Sequence, residues 1–173
     1  MVAALVDMLE GGTVDVVLEC RDPSGAPAGA TVFRRLLDAP AAVVCGLDHP
    51  LATVGRERLT PADCAGAGRY VVCNPHVLAP ALSILQRGLM DHVDPKQVMM
   101  CPGIEAVLSL ASAGIGYTLL PDIPAMHHPD LSIVPLEGAG SVTVGVRVRR
   151  GRPSRLLERF VDALGEVLRT ERG

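Results

Sequence analysis

Val2, Leu5, Val6 and Leu9 fall at i, i+3, i+4 and i+7, the spacing that collects apolar side chains on one helix face, and Gly11-Gly12 ends the run. Val14, Val16, Val17 and Leu18 follow as a short β-branched stretch, which predicts a buried strand over 14–18. Residues 21–31, RDPSGAPAGAT, are polar and rich in Gly and Pro, so they predict a loop before a second strand over 41–45. Thr60-Pro61 then supplies an N-cap side chain with proline at the first helical position, for a one-turn helix ending near Gly66.

Further along, a strand over 70–73 is followed by a helix over 78–90 with Leu78, Leu82, Leu85 and Leu89 on one face. Pro80 sits in its first turn, where the missing N–H costs nothing. A strand over 97–100 leads to a helix over 102–113, with Ile104, Val107, Leu108 and Ala111 at core spacing, Gly114 as its stop and a strand over 117–120 after it. Strands alternating with helices indicate a parallel α/β arrangement, in which ligands gather at the carboxyl ends of the strands. From Ser141 to Arg149 the period drops to two, with four valines on one side and Thr143, Gly145, Arg147 and Arg149 on the other, a half-exposed strand. Ser154 caps a last helix carrying Leu157, Phe160, Val161, Leu164 and Leu168, expected to pack on the first helix and first strand. A chain that leaves one α/β unit near 45, builds another and returns near 145 describes two lobes joined by two crossover strands.

Composition narrows what such lobes do. Hydrophobic residues make up 49% of the 173, but aromatics only 2%: Phe33, Phe160, Tyr70 and Tyr117. That argues against the stacking platforms that hold single-stranded nucleic acid. The net charge of −3 hides a basic end, since residues 147–172 hold eight of the sixteen Lys and Arg, yet no basic stripe follows a helix as a DNA surface requires. Five cysteines without a C-x-x-C motif read as reduced, small hydrophobes of a cytosolic protein. No export signal and no run of ~18 apolar residues appears; the expected location is the cytoplasm. No G-x-S-x-G, H-E-x-x-H or spaced carboxylate pair is present, so an enzyme is not expected, and no cofactor is implied.

Four segments, in order, carry a family likeness. Leu9 to Val17 (LEGGTVDVV), Asp48-His49-Pro50-Leu51-Ala52, Leu59 to Gly66 (LTPADCAG) and Ala111 to Pro121 (ASAGIGYTLLP), with Val134-Pro135-Leu136 and the Arg-rich strand after them, resemble the effector-binding domain of LysR-type transcriptional regulators. The resemblance spans nearly the whole chain. It implies an α/β, two-lobed fold like the type 2 periplasmic binding proteins, residues 46–143 forming one lobe and 1–45 with 144–173 the other. It also implies that the first lobe is incomplete, because the family's opening strand, helix and strand have no counterpart here. DNA contact would come only through a winged helix-turn-helix domain absent from this sequence. The expected function is sensing of a small-molecule inducer, an organic acid on family grounds, in the cleft between lobes. Self-association is expected through exposed faces at Val2/Leu5/Leu9 and Leu157/Val161/Leu164.

Candidate effector contacts are Asn74, Pro75 and His76, which follow a strand and precede a helix, and Cys101, Pro102, Gly103 and Ile104, at a helix start whose free N–H groups attract anions. Asn74 both donates and accepts, and His76 titrates near neutrality; an ordinary Asn-Pro turn with an exposed His explains the same residues. Glu105 opposes an anion by complementing the helix dipole itself. His49 reads as a turn residue, and His127-His128 as a polar connection rather than a metal site. Two other classes remain: a thiol redox sensor using Cys73 and Cys101 at the ends of neighbouring strands, and a stand-alone solute-binding protein, against which the missing export signal speaks.

Overall fold

The protein is described from a computed structural model, which covers residues 2–21, 30–124, 127–151 and 153–170. The helices are α1 (Val2–Glu10), α2 (Pro50–Thr53), α3 (Pro61–Cys64), α4 (Pro80–Met90), α5 (Ile104–Ser112) and α6 (Arg155–Thr170). The strands are β1 (Val16–Arg21), β2 (Thr31–Gly46), β3 (Arg69–Cys73), β4 (Val98–Cys101), β5 (Gly116–Pro121), β6 (Leu131–Pro135) and β7 (Ser141–Arg149). All seven join one hydrogen-bonded sheet in the order β1-β7-β2-β5-β3-β4, with β6 also on β2.

The architecture turns on β2. Residues 31–40 pair antiparallel with β7, from Thr31 opposite Arg149 to Pro40 opposite Ser141. Residues 41–46 change partners, pairing with β5 and with β6. Pro40 lacks the N–H a continuous ladder would use, and its carbonyl is taken by the Asp122 amide at 2.8 Å. Between Arg35 and Leu37 the register with β7 shifts by a bulge at Leu36. The result is a small sheet of β1, β7 and the first part of β2, continuous with a larger one in which β3, β4 and β5 run parallel.

In the larger sheet the alternation of side chains separates two packed faces. Tyr70, Val72, Tyr117 and Leu119 meet Leu51 of α2, Cys64 of α3 and Ala81, Leu85 and Leu89 of α4, whereas Val71, Cys73 and Cys101 meet Val107 of α5. The two tyrosine rings stack at 5.3 Å, and their hydroxyls donate to the carbonyls of Gln86 (2.9 Å) and Cys64 (2.8 Å). The first of these clusters continues under the small sheet, through Leu37, Ala39, Val142 and Val144 to Leu164 and Leu168 of α6. Gly114 takes φ +70 at the exit of α5, and Gly116 lies so close to β3 that a Cβ would come within 2.3 Å of the Arg69 carbonyl oxygen.

Several expectations are corrected. β2 begins ten residues before the expected strand, because Arg34, Arg35 and Asp38 mask its alternation and Pro40 suggests a break. β6 and α2 were not anticipated; each is five residues or fewer and Pro-flanked. β1 is not a buried strand, since Leu18 is 55% exposed. β7 is buried on both faces rather than half-exposed: Arg147 donates to both carboxylate oxygens of Glu19 (2.8 and 3.0 Å) and to Thr31 Oγ1 (2.9 Å), so its charge is satisfied inside. α6 packs on β2 rather than on α1 and β1. Leu9 and Val161 are buried, and Leu5, Leu157 and Leu164 partly so, so the faces expected to drive self-association point inward. The Val2 side chain and residues 22–29 of the Gly/Pro-rich loop lie outside the described residues.

Candidate functional site

The carboxyl ends of β3 and β4 lie side by side, with Cys73 opposite Cys101. The chain leaves β3 through a tight turn: the Asn74 amide donates to the Cys101 carbonyl (2.8 Å), Asn74 Oδ1 accepts the His76 amide (3.0 Å), and the Asn74 carbonyl accepts the amides of Val77 and Leu78. It leaves β4 through Pro102 and Gly103, the N-cap of α5, which offers no side-chain cap. Between these exits opens a pocket of about 460 Å³ lined by Cys73, Val77, Leu78, Ala79, Leu82, Pro102, Gly103, Ile104 and Glu105.

Pro102, Gly103 and Ile104 line the pocket, as the sequence suggests for them. Cys101 is buried beneath it against Val107, while Asn74 uses its side-chain oxygen within the turn. Pro75 and His76 are exposed and outside the lining. The helix begins two residues later than expected, so the uncapped N–H groups are those of Ile104, Glu105 and Ala106. The Glu105 carboxylate folds back over this end: a Cβ on Gly103 would sit 3.0 Å from Glu105 Oε2. Leu78, Ala79 and Leu82 were missed because their spacing reads as helix core. Only their position directly after an Asn-Pro turn at a strand end signals a rim.

All nine lining residues come from the larger sheet and its helices, and no described residue of β1, β2, β7 or α6 contributes. The wall is therefore mostly apolar, and polar recognition falls to backbone N–H groups and Glu105. Gln86 holds this floor from below. It is buried in α4, its Oε1 accepting the Cys73 amide (2.9 Å) and its Nε2 donating to Thr118 Oγ1 and the Leu119 carbonyl (both 3.3 Å). The end of β3 is thus tied to helix α4 and strand β5 at once.

The thiols do not resemble sensor cysteines. Cys73 and Cys101 face each other across the ladder but are 4% and 5% exposed, and burial, with Cys101 and Glu105 nearby, pushes the Cys73 thiol up. Burial likewise pushes Cys45 up to about 11 and Cys64 up to about 12. His49 is a structural turn residue: its Nδ1 accepts the Leu51 amide (3.2 Å) as the cap of α2, and burial lowers its pKa. His127 pairs with Asp122 at 2.7 Å. Among the described residues no three metal-ligating side chains come together, and no helix is long and apolar enough to cross a membrane.

Known structures match this architecture at low sequence identity. The effector-binding domain of BenM with its effector benzoate is 18% identical with a TM-score of 0.70, over 98% of this chain and 76% of that one. The regulatory domain of CcmR from Synechocystis PCC6803 in complex with 2-PG is 18% identical with a TM-score of 0.65, over 96% and 79%. A full-length OxyR variant from Pseudomonas aeruginosa is 15% identical with a TM-score of 0.70, over 99% of this chain but 58% of that one. No curated protein matches the chain in sequence. This chain shares with these known structures the two-lobed, periplasmic-binding-protein-like fold. The profile of the LysR substrate binding domain matches residues 1–169, and on that match the chain belongs to the LysR substrate-binding domain family.

Proposed function

We propose that this chain senses a small organic acid in the pocket above β3 and β4 and acts as the regulatory part of a cytoplasmic LysR-type transcriptional regulator. The observation that carries the reading is the pocket itself: about 460 Å³, apolar in its walls, with three uncapped N–H groups of α5 at one end. A ligand with an apolar body and one carboxylate fits that distribution, its carboxylate displacing Glu105 from the helix end. Pro102, Gly103 and Ile104 are the contacts, Cys101 supports them, and the turn at Asn74, Pro75 and His76 forms the outer rim. Benzoate, the effector carried by the BenM domain, is an acid of this kind. We further propose lobes of residues 46–143 and of 1–45 with 144–173, the change of partners along β2 supporting a division of this kind. DNA contact belongs to a separate helix-turn-helix domain, and the reading involves no catalytic step.

A thermal-shift screen of aromatic and aliphatic carboxylates tests this. A binder at ~100 times its Kd adds about 2.7 kcal/mol to stability. Its effect should weaken in Gly103→Val, which crowds the helix end, and strengthen in Glu105→Gln, which removes the competing carboxylate. Silence across the screen from a folded sample, or a binder indifferent to both substitutions, overturns the assignment. Thiol sensing is disfavoured by burial, and thiol counting after peroxide on the intact fold checks it: a Cys73–Cys101 disulfide would revive it.

A further inference from the structure

Cys73 and Cys101 end neighbouring parallel strands at directly opposite positions, and both side chains enter the small cluster that α5 covers with Val107. The two thiols therefore share one face of the sheet. Among the described residues no other ladder sets cysteine opposite cysteine. Met99, two residues before Cys101 on the same face of β4, packs against this cluster and brings a thioether to it. Three soft sulfur groups thus gather at the strand ends. Cys73 also borders the pocket of about 460 Å³, so this cluster has a way in, whereas Cys45 and Cys64 are both 0% exposed in the other core.

We propose that Cys73 and Cys101 form a two-coordinate site for copper(I), a soft, closed-shell monovalent cation that reaches them through the pocket. The strand spacing suits such an ion. Neighbouring strands lie about 4.8 Å apart, and two metal–thiolate bonds of about 2.3 Å placed end to end span about 4.6 Å, so the ion fits in line between the sulfurs with the ladder intact. Donor type selects it further. Zinc closes a structural site with four ligands, and hard cations find a single carboxylate, Glu105, in the pocket wall. Thiolate and thioether sulfur prefer copper(I). On binding, each S–H bond breaks and a S–Cu bond forms in its place, two protons pass to the solvent, and no oxidation state changes. The burial that withdraws these thiols from peroxide does not prevent this exchange, because the metal itself drives the thiols to ionise. The bound unit carries one negative charge, which the uncapped N–H groups of α5 offset. The site stands apart from the acid reading: an acid screen without a hit leaves it intact.

The test is competition for copper(I) between the full chain and bathocuproine disulfonate under anaerobic, reducing conditions, followed by the colour of the chelator complex. One ion per chain is expected, with two protons released for each ion bound. Cys73→Ser and Cys101→Ser should each lower the affinity by roughly a hundredfold, and Met99→Leu by less than either. Glu105→Gln, which removes a neighbouring negative charge, should raise it several-fold. Cys64→Ala should change nothing, and excess zinc should not displace the copper. If Cys101→Ser fails to fold, Cys73→Ser decides, since its side chain borders the pocket. No copper held against the chelator, binding indifferent to Cys73→Ser, binding lost in Cys64→Ala, or displacement by zinc overturns the proposal.

Discussion

The two ends of β2 lie in sheets that tolerate polar groups in opposite ways. At residues 41–46 the strand is buried on both faces among small apolar side chains, and the polar groups nearby are neutral: two tyrosine hydroxyls, Gln86 and Thr118, each with a partner. At residues 31–40 one face of the sheet carries charges in a cross-strand ladder, Arg147 with Glu19 and Thr31, Thr143 with Asp38, and Arg21 over the ring of Phe33 at 4.9 Å. A three-stranded sheet has little area for an apolar core on both sides, so one face is held by ion pairs and the other by α6. The larger sheet has helices on both faces and needs no buried charge.

The largest effect comes from cutting the charged ladder on one side only. Arg147→Met takes two donors from Glu19 and leaves that carboxylate only Arg21, at 3.2 Å; it should cost about 3 kcal/mol in urea denaturation, and adding Glu19→Leu should restore part of it. A single substitution costing under 1 kcal/mol would break the comparison. Next comes Gln86→Leu, which leaves the Cys73 amide without its acceptor; about 2–3 kcal/mol should be lost, with faster hydrogen exchange at Cys73 and Asn74. Smaller again is a pH effect confined to the larger lobe. Burial lowers the His49 pKa below 6.5, so the unfolded chain takes up the proton first. Stability from this site is complete above pH 6.5 and declines as the pH falls through the folded value, a slope that His49→Asn, which still caps α2, should remove from the melting profile. The smallest effect is Leu156→Ser on the exposed side of α6, expected within about 0.5 kcal/mol of the parent for a single folded chain.

The larger lobe was the more legible because its elements follow local rules. Thr60-Pro61-Ala62-Asp63 displays a full capping box, with both Thr60 and Asp63 bonded reciprocally. The leucines of α4 show their period directly. What stayed hidden depended on distant partners. Arg34, Arg35 and Asp38 look like loop residues until β7 lies beside them, and β7 looks half-exposed until Glu19, 128 positions away, neutralises Arg147. In the pocket, the helix start at Pro102 to Ile104 was visible from its proline and glycine. The contribution of Leu78, Ala79 and Leu82 was not, because a rim leucine and a core leucine share the same spacing.

The bulge at Leu36 also absorbs a one-residue mismatch in length between β2 and β7. Side chains alternate along a strand with a period of two, so one extra residue decides which side chains upstream share a face with those downstream. With Leu36 in place, Thr31, Phe33 and Arg35 stand on the charged side and Val32 and Arg34 on the side of α6. Removing that one codon would leave Leu37 opposite Val144 and Arg35 opposite Gly145 in a regular ladder, so Phe33 would keep its place by Arg21 and Thr31 its place by Arg147. The side chain at position 36 is therefore under tighter constraint than the length: the ladder closes with or without the extra residue, but Leu36 packs against the core and reaches Gly165 of α6.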